Sequence, residues 1–212
     1  NFYMEKALTY QNMMNFEKAT ENYLLQLESD PDDYDIVKTR LSFMLRYDLD
    51  GSIAEDMRLA LLNKTHNNPD NEMFTELLVW FALQMKDYEI ALNQEIALDR
   101  RFNDREYDII YLARIARDNE QYDIAISAYD YLVKKSKEGA YYKDAVVGLT
   151  EVQYQKAASQ CDISNQSEFY SNFEKRIENE CLELGVNDKT TPILIIRAEI
   201  LAFKLDEVEK AI

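Results

Sequence analysis

The chain has 212 residues, 47% of them hydrophobic, with 40 acidic and 24 basic side chains and a formal net charge of −16. The apolar share excludes a disordered polymer, and 4 Gly and 3 Pro are too few for a turn-rich β protein, which leaves long helices. The acid excess excludes a nucleic-acid-binding or anionic-membrane surface and describes a well-solvated exterior that attracts basic partners.

The length allows one or two domains. The densest apolar run, Leu77 to Leu83, is too short to cross a bilayer. No signal-peptide pattern opens the chain, and a start at Asn1 leaves a removed leader open.

Taken in order, the first predicted helix ends at the turn Asn12 to Asn15, and a second runs from Phe16 to about Leu27. A second pair begins near Asp35 and turns at Asp48-Leu49-Asp50-Gly51, after which Ser52 and Glu55 read as a capping box. The Asp-x-Asp-Gly run suggests a calcium loop, but its first and twelfth places hold Arg46 and Met57, so it is read as a plain turn. A third pair spans about Glu72 to Arg105. The fourth, Glu106 to Gly139, has the clearest pattern. Ile109, Leu112, Ala113 and Ala116 form one helical stripe, Asp118 to Gln121 interrupts it, and Tyr122, Ala125, Ala128, Tyr129 and Leu132 form the next. The small residues let two antiparallel helices approach closely.

A fifth, irregular pair runs from Tyr141 to Ser159 and, after a polar linker from Cys161, from Ser167 to Leu184, where Gly185 suits a helix stop. Cys161 and Cys181 fall near opposite ends of those helices, roughly 15–20 Å apart at 1.5 Å rise per residue, so two thiols are expected and the redox compartment stays open. Thr191-Pro192 reads as the N-cap and first residue of a sixth pair, and Val208 to Ala211 as the start of its second helix. With the chain ending there, Ile193, Ile196, Ile200 and Phe203 are expected to form a stripe with only part of its cover, leading to continuation of the array or end-to-end self-association.

The pairs share a period. Ala125, Ala91 and Met57 are 34 residues apart, and Ala19 precedes Met57 by 38. Phe16, Tyr88 and Tyr122 each stand three residues before their anchor, and Tyr23 and Tyr129 four after. Pro31 and Pro69 fall twelve after theirs. In period, aromatics and closing prolines the chain resembles the tetratricopeptide-repeat (TPR) family. It departs from the pattern at Met57, Leu61 and Glu95, and it lacks the family's Trp at the fourth position. The resemblance implies an all-α, right-handed α-solenoid of antiparallel helix pairs. The repeats fall at residues 1–34, 35–71 with a four-residue turn insertion, 72–105, 106–139 and 140–186, with a sixth begun at 187–212.

No catalytic constellation stands out. His66 is the single histidine and sits beside a turn. The chain has no Cys or His cluster at metal spacing and no glycine-rich phosphate loop, so neither cofactor nor metal is expected. The family implies a non-catalytic scaffold that holds a peptide or partner helix in its concave groove. In that register the groove carries Lys38, Ser42 and Arg46 from the second pair, and Met73, Glu76 and Trp80 from the third. Tyr107, Tyr111, Arg114 and Arg117 come from the fourth, and Gln153 from the fifth. Aromatics beside arginines make binding anchors, and the basic residues suit an acidic segment. The family's carboxylate clamp is excluded, because Met4, Leu8, Thr39, Met73 and Leu77 stand at its positions. Two other readings remain: a regulatory or sensor arm of a larger enzyme or signalling protein, and a small-molecule-binding solenoid. Acidic, Tyr-rich repeat proteins of this kind point to a bacterial source, with envelope or periplasm and cytoplasm both open.

Overall fold

The computed structural model describes residues 2–159 and 166–211, and every regular element among them is helical. The chain divides into two compact units, Asn1–Leu98 and Asp99–Ile212.

The first unit holds α1 (Phe2–Asn12), α2 (Phe16–Ser29), α3 (Tyr34–Leu45), α4 (Ser52–Asn67), α5 (Glu72–Gln84) and most of α6 (Tyr88–Phe102), with a 3-10 turn at Pro31–Asp33. Short turns force neighbouring helices antiparallel. Their apolar stripes meet in one core in which Tyr23, Leu27, Leu41, Met44, Met57, Leu61, Phe74 and Leu77 are fully buried. Tyr23 keeps its polar end satisfied there by donating its hydroxyl to Gln11 Oε1 at 2.5 Å.

The second unit holds the end of α6 with α7 (Glu106–Asp118), α8 (Tyr122–Lys135), α9 (Tyr142–Ser159), α10 (Gln166–Leu184), α11 (Thr191–Phe203) and α12 (Val208–Ala211). α7 packs on α8 and α8 on α9. Gly148 of α9 lies against the ring of Tyr129, where a Cβ would stand 2.5 Å from Cε1 and Cζ. The missing side chain is what lets α8 and α9 meet around a large buried aromatic.

Three of the turns within pairs share one geometry. Met14, Lys86 and Glu120 adopt left-handed backbone, φ 56°, 58° and 61°, each five residues before Ala19, Ala91 or Ala125. The next amide in each, Asn15, Asp87 or Gln121, donates back to the carbonyl five residues earlier, at 2.9, 2.8 and 2.8 Å. These are Schellman stops built without glycine. Asn15 then caps α2 by accepting from Lys18 N–H, and Asp87 caps α6 by accepting from Ile90 N–H.

The insertion turn differs from expectation. Gly51, at φ 84°, is the N-cap position of α4, and Ser52 makes no capping-box bond. Asp48 does the capping instead: its carboxylate accepts from the N–H groups of Gly51, Ile53 and Ala54 at 2.9, 3.3 and 2.9 Å. Glu55 turns away to Arg58, 2.7 Å, rather than back to the N-cap.

The C-terminal expectation is corrected as well. Ile193, Ile196 and Ile200 are buried in a core shared with Tyr142, Val146, Phe173 and Ile177. α11 packs on α9 and α10, and Arg197 ties it down through Glu174 and Glu178 at 2.7 and 2.8 Å. Of the predicted stripe only Phe203 is exposed, so the apolar cost that motivated self-association is mostly met within the unit. The N-cap is Thr190 rather than Thr191, which moves Pro192 to the second helical position. Gly185 ends α10 with φ 77°. Cys181 is buried, and burial raises its thiol pKa; Cys161, and with it the expected separation of the two cysteines, lies outside the described residues.

Candidate functional site

In the first unit the candidate surface is built on α3 and α5. Lys38 is one turn along α3 from Tyr34, and α5 brings Trp80 alongside. The Lys38 ammonium lies 5.8 Å from the centroid of each ring. An ammonium shared by two π faces is attracted electrostatically to both rings. Glu76 is close enough to act on Tyr34, whose hydroxyl is pushed up to about 12, first by burial and then by the charges of Glu76 and Asp35. Lys38, Glu76 and Trp80 therefore converge around Tyr34, which the sequence reading did not single out. Its signal was present: an aromatic four residues before a lysine on one helix face. Met73 and Ser42 are half-buried, and Arg46 is exposed at the C-cap of α3.

In the second unit α7 carries Tyr107 and Tyr111 one turn apart. Their rings stack at 6.4 Å and 11°, and they are 57% and 51% exposed. Tyr141, from the turn before α9, extends the strip with its ring 6.1 Å from Tyr107; it was not among the predicted groove residues, and the helix expected to open on it begins one residue later, at Tyr142. Arg114 is exposed and sits near the Tyr129 phenol, whose pKa is raised by burial against the lowering pull of Arg117 and Arg114.

Arg117 differs from expectation. Its guanidinium is engaged by Asp118 at 3.0 Å and Glu151 at 3.3 Å. Burial opposes its charge, and the hydrogen bond to Asp118 with the surrounding charges raises its pKa nonetheless. It is an internal tie between α7 and α9 more than a free cation. Gln153 is half-buried with Oε1 shielded and unbonded.

Among the described residues no group of three or more His, Cys, Asp or Glu is placed to hold a metal, and no helix is long and apolar enough to cross a membrane. The most enclosed ion cluster is structural. Asp99, fully buried, accepts from Tyr131 Oη (2.8 Å), Lys135 Nζ (2.9 Å) and Arg105 N–H (3.0 Å). Burial works against its charge, but these donors hold the carboxyl below the usual range.

Helix pairs repeat along the chain, and the four anchors Ala19, Met57, Ala91 and Ala125 are all fully buried. The architecture is TPR-like. No family model and no curated protein matches the sequence. Comparison with solved structures pairs it with a tetratricopeptide repeat protein from Parabacteroides merdae at 13% identity and a TM-score of 0.37, covering 99% of this chain and 74% of that one.

Proposed function

We propose that this TPR-like chain is a non-catalytic scaffold that binds a peptide or helix of a partner protein. The observation that carries the reading is the stacked pair Tyr107 and Tyr111, two large rings left about half exposed beside Arg114. Burying such rings against a partner gains apolar area at little entropic cost, which is why tyrosine and arginine dominate binding hot spots. The Lys38–Trp80–Tyr34 cluster offers a second surface of like chemistry in the first unit.

An acidic segment fits both surfaces, because the first holds the Lys38 ammonium over the Tyr34 and Trp80 faces and the second has the exposed Arg114 on the same helix as Tyr107 and Tyr111. With Arg117 engaged by Glu151, the charge on the second surface rests on Arg114. The test starts from partners recovered with the intact protein and titrates the strongest against variants. The expected result is at least tenfold weaker binding for Tyr107→Ala/Tyr111→Ala and for Arg114→Ala, with helical content unchanged. Full affinity in both, and in Lys38→Ala/Trp80→Ala, would remove these surfaces from the reading.

A further inference from the structure

The second unit contains a cleft of about 300 Å³ between α8, α9 and α10. Ile126, Phe169 and Phe173 wall it, and Gln153, Lys156 and Arg176 bring polar groups to it. The two phenyl rings lie 5.7 Å apart at 23°, and the Arg176 guanidinium lies 4.4 Å from the Phe173 centroid. Three polar atoms here have neither solvent nor a hydrogen bond: Gln153 Oε1, Arg176 Nε and Arg176 Nη2. Shielded polar groups in folded proteins are nearly always bonded, so three at one cleft call for an account.

The neighbouring charges do not supply it. Glu180 lies 3.3 Å from Arg176 Nε without hydrogen-bond geometry, and its carboxylate accepts from the Thr150 hydroxyl at 2.7 Å. Lys156 is held by Asp123. Burial lowers the Arg176 pKa and raises that of Glu180, and the shielding of Arg176 falls on its Nε and Nη2 edge, since 39% of the side chain is exposed.

Nε and Nη2 are the side edge of a guanidinium, a pair of parallel donors whose spacing matches the two oxygens of a carboxylate. We infer that this cleft binds a carboxylate carried on an aromatic or aliphatic body, the apolar part against the wall formed by Ile126, Phe169 and Phe173 and the two oxygens on the Nε–Nη2 edge of Arg176. Because Nε and Nη2 are shielded from solvent, binding requires the guanidinium to rotate across the Phe173 face and present that edge to the cleft. The same chemistry is found in a free organic acid and in the C-terminal carboxylate of a peptide ending in an apolar residue. The inference does not depend on the partner-binding reading, which rests on other surfaces.

The test uses the ¹⁵N-labelled full chain and four probes: hydrocinnamate, its neutral amide hydrocinnamide, a peptide ending in phenylalanine, and that peptide amidated at its C-terminus. The expected result is a saturable shift of the Arg176 Nε–H resonance with at least one acid, and at least tenfold weaker binding of its amide. Response to the peptide alone assigns the site to a chain end; response to hydrocinnamate assigns it to a free acid. Arg176→Gln should lose tenfold or more, and exposed Lys175→Gln should lose nothing. Gln153→Glu places a fixed carboxylate at the cleft and should abolish binding while the protein stays folded, which keeps the test decisive if Arg176→Gln does not fold. No saturable shift with either acid, equal binding of acids and amides, or full binding by Gln153→Glu would overturn the inference.

Discussion

Replacing Gly148 with alanine should destabilise the protein even though alanine is the better helix former. A Cβ at this position would stand 2.5 Å from Cε1 and Cζ of Tyr129 and 2.9 Å from its hydroxyl oxygen. Relaxed carbon–carbon contacts are about 3.5–4.0 Å, so the overlap is roughly 1 Å. The ring cannot swing clear, because Tyr129 is 1% exposed and closed in by its neighbours. Overpacking of this kind costs about 1–3 kcal/mol, and the helix-propensity gain from Gly to Ala returns about 1 kcal/mol. With the overlap on the body of an enclosed ring, the net loss should be about 1–2 kcal/mol. Urea unfolding followed by far-UV circular dichroism reads it as a lower midpoint at unchanged slope. The decisive comparison is Gly148→Ala in a Tyr129→Leu background, where the shorter side chain vacates the contact. There the same substitution should be neutral or stabilising, and the difference between backgrounds measures the contact. A wild-type-background Gly148→Ala at least as stable as the parent would refute the reasoning.

Asp48→Ala should cost about 1–2 kcal/mol, because the amides of the N-cap Gly51 and of Ile53 and Ala54 in α4 lose their acceptor, and the same unfolding experiment checks it. Glu120→Gly should raise stability by about 0.5–1 kcal/mol: relief of left-handed strain is worth about 1–2 kcal/mol, and glycine's extra chain entropy takes back about 0.5–1; a lower thermal midpoint would count against that strain. Asp99→Asn should cost about 1–3 kcal/mol at neutral pH. Because the folded carboxyl is held low, its stabilisation is complete above the unfolded value of about 3.9 and fades as pH falls below it, so the gap between parent and variant should shrink only on acidification past about pH 4. A gap that instead closed between pH 5 and 8 would mean that Asp99 does not titrate as its partners require.

Much of the fold is legible in the residues. The anchors Ala19, Met57, Ala91 and Ala125 and the aromatic positions Tyr23 and Tyr129 follow helical periodicity, a property of a few consecutive turns, and all six are buried. Periodicity also exposes Tyr107 and Tyr111, which lie off the apolar stripe of α7. The tertiary structure alone decides matters that depend on groups distant in the chain. The left-handed residues at Met14, Lys86 and Glu120 carry no glycine to announce them; packing of the paired helices imposes the turn. Arg117 has only its neighbour Asp118 as a partner by its place on α7 and becomes a tie between helices once α9 brings Glu151 beside it, 34 residues on. Lys38 finds Trp80, and Ile193, Ile196 and Ile200 find cover, only when other helices fold against them. A helix needs hydrogen bonds four residues away and can be read locally, whereas burial and charge pairing are set by whichever surface comes to rest against a side chain.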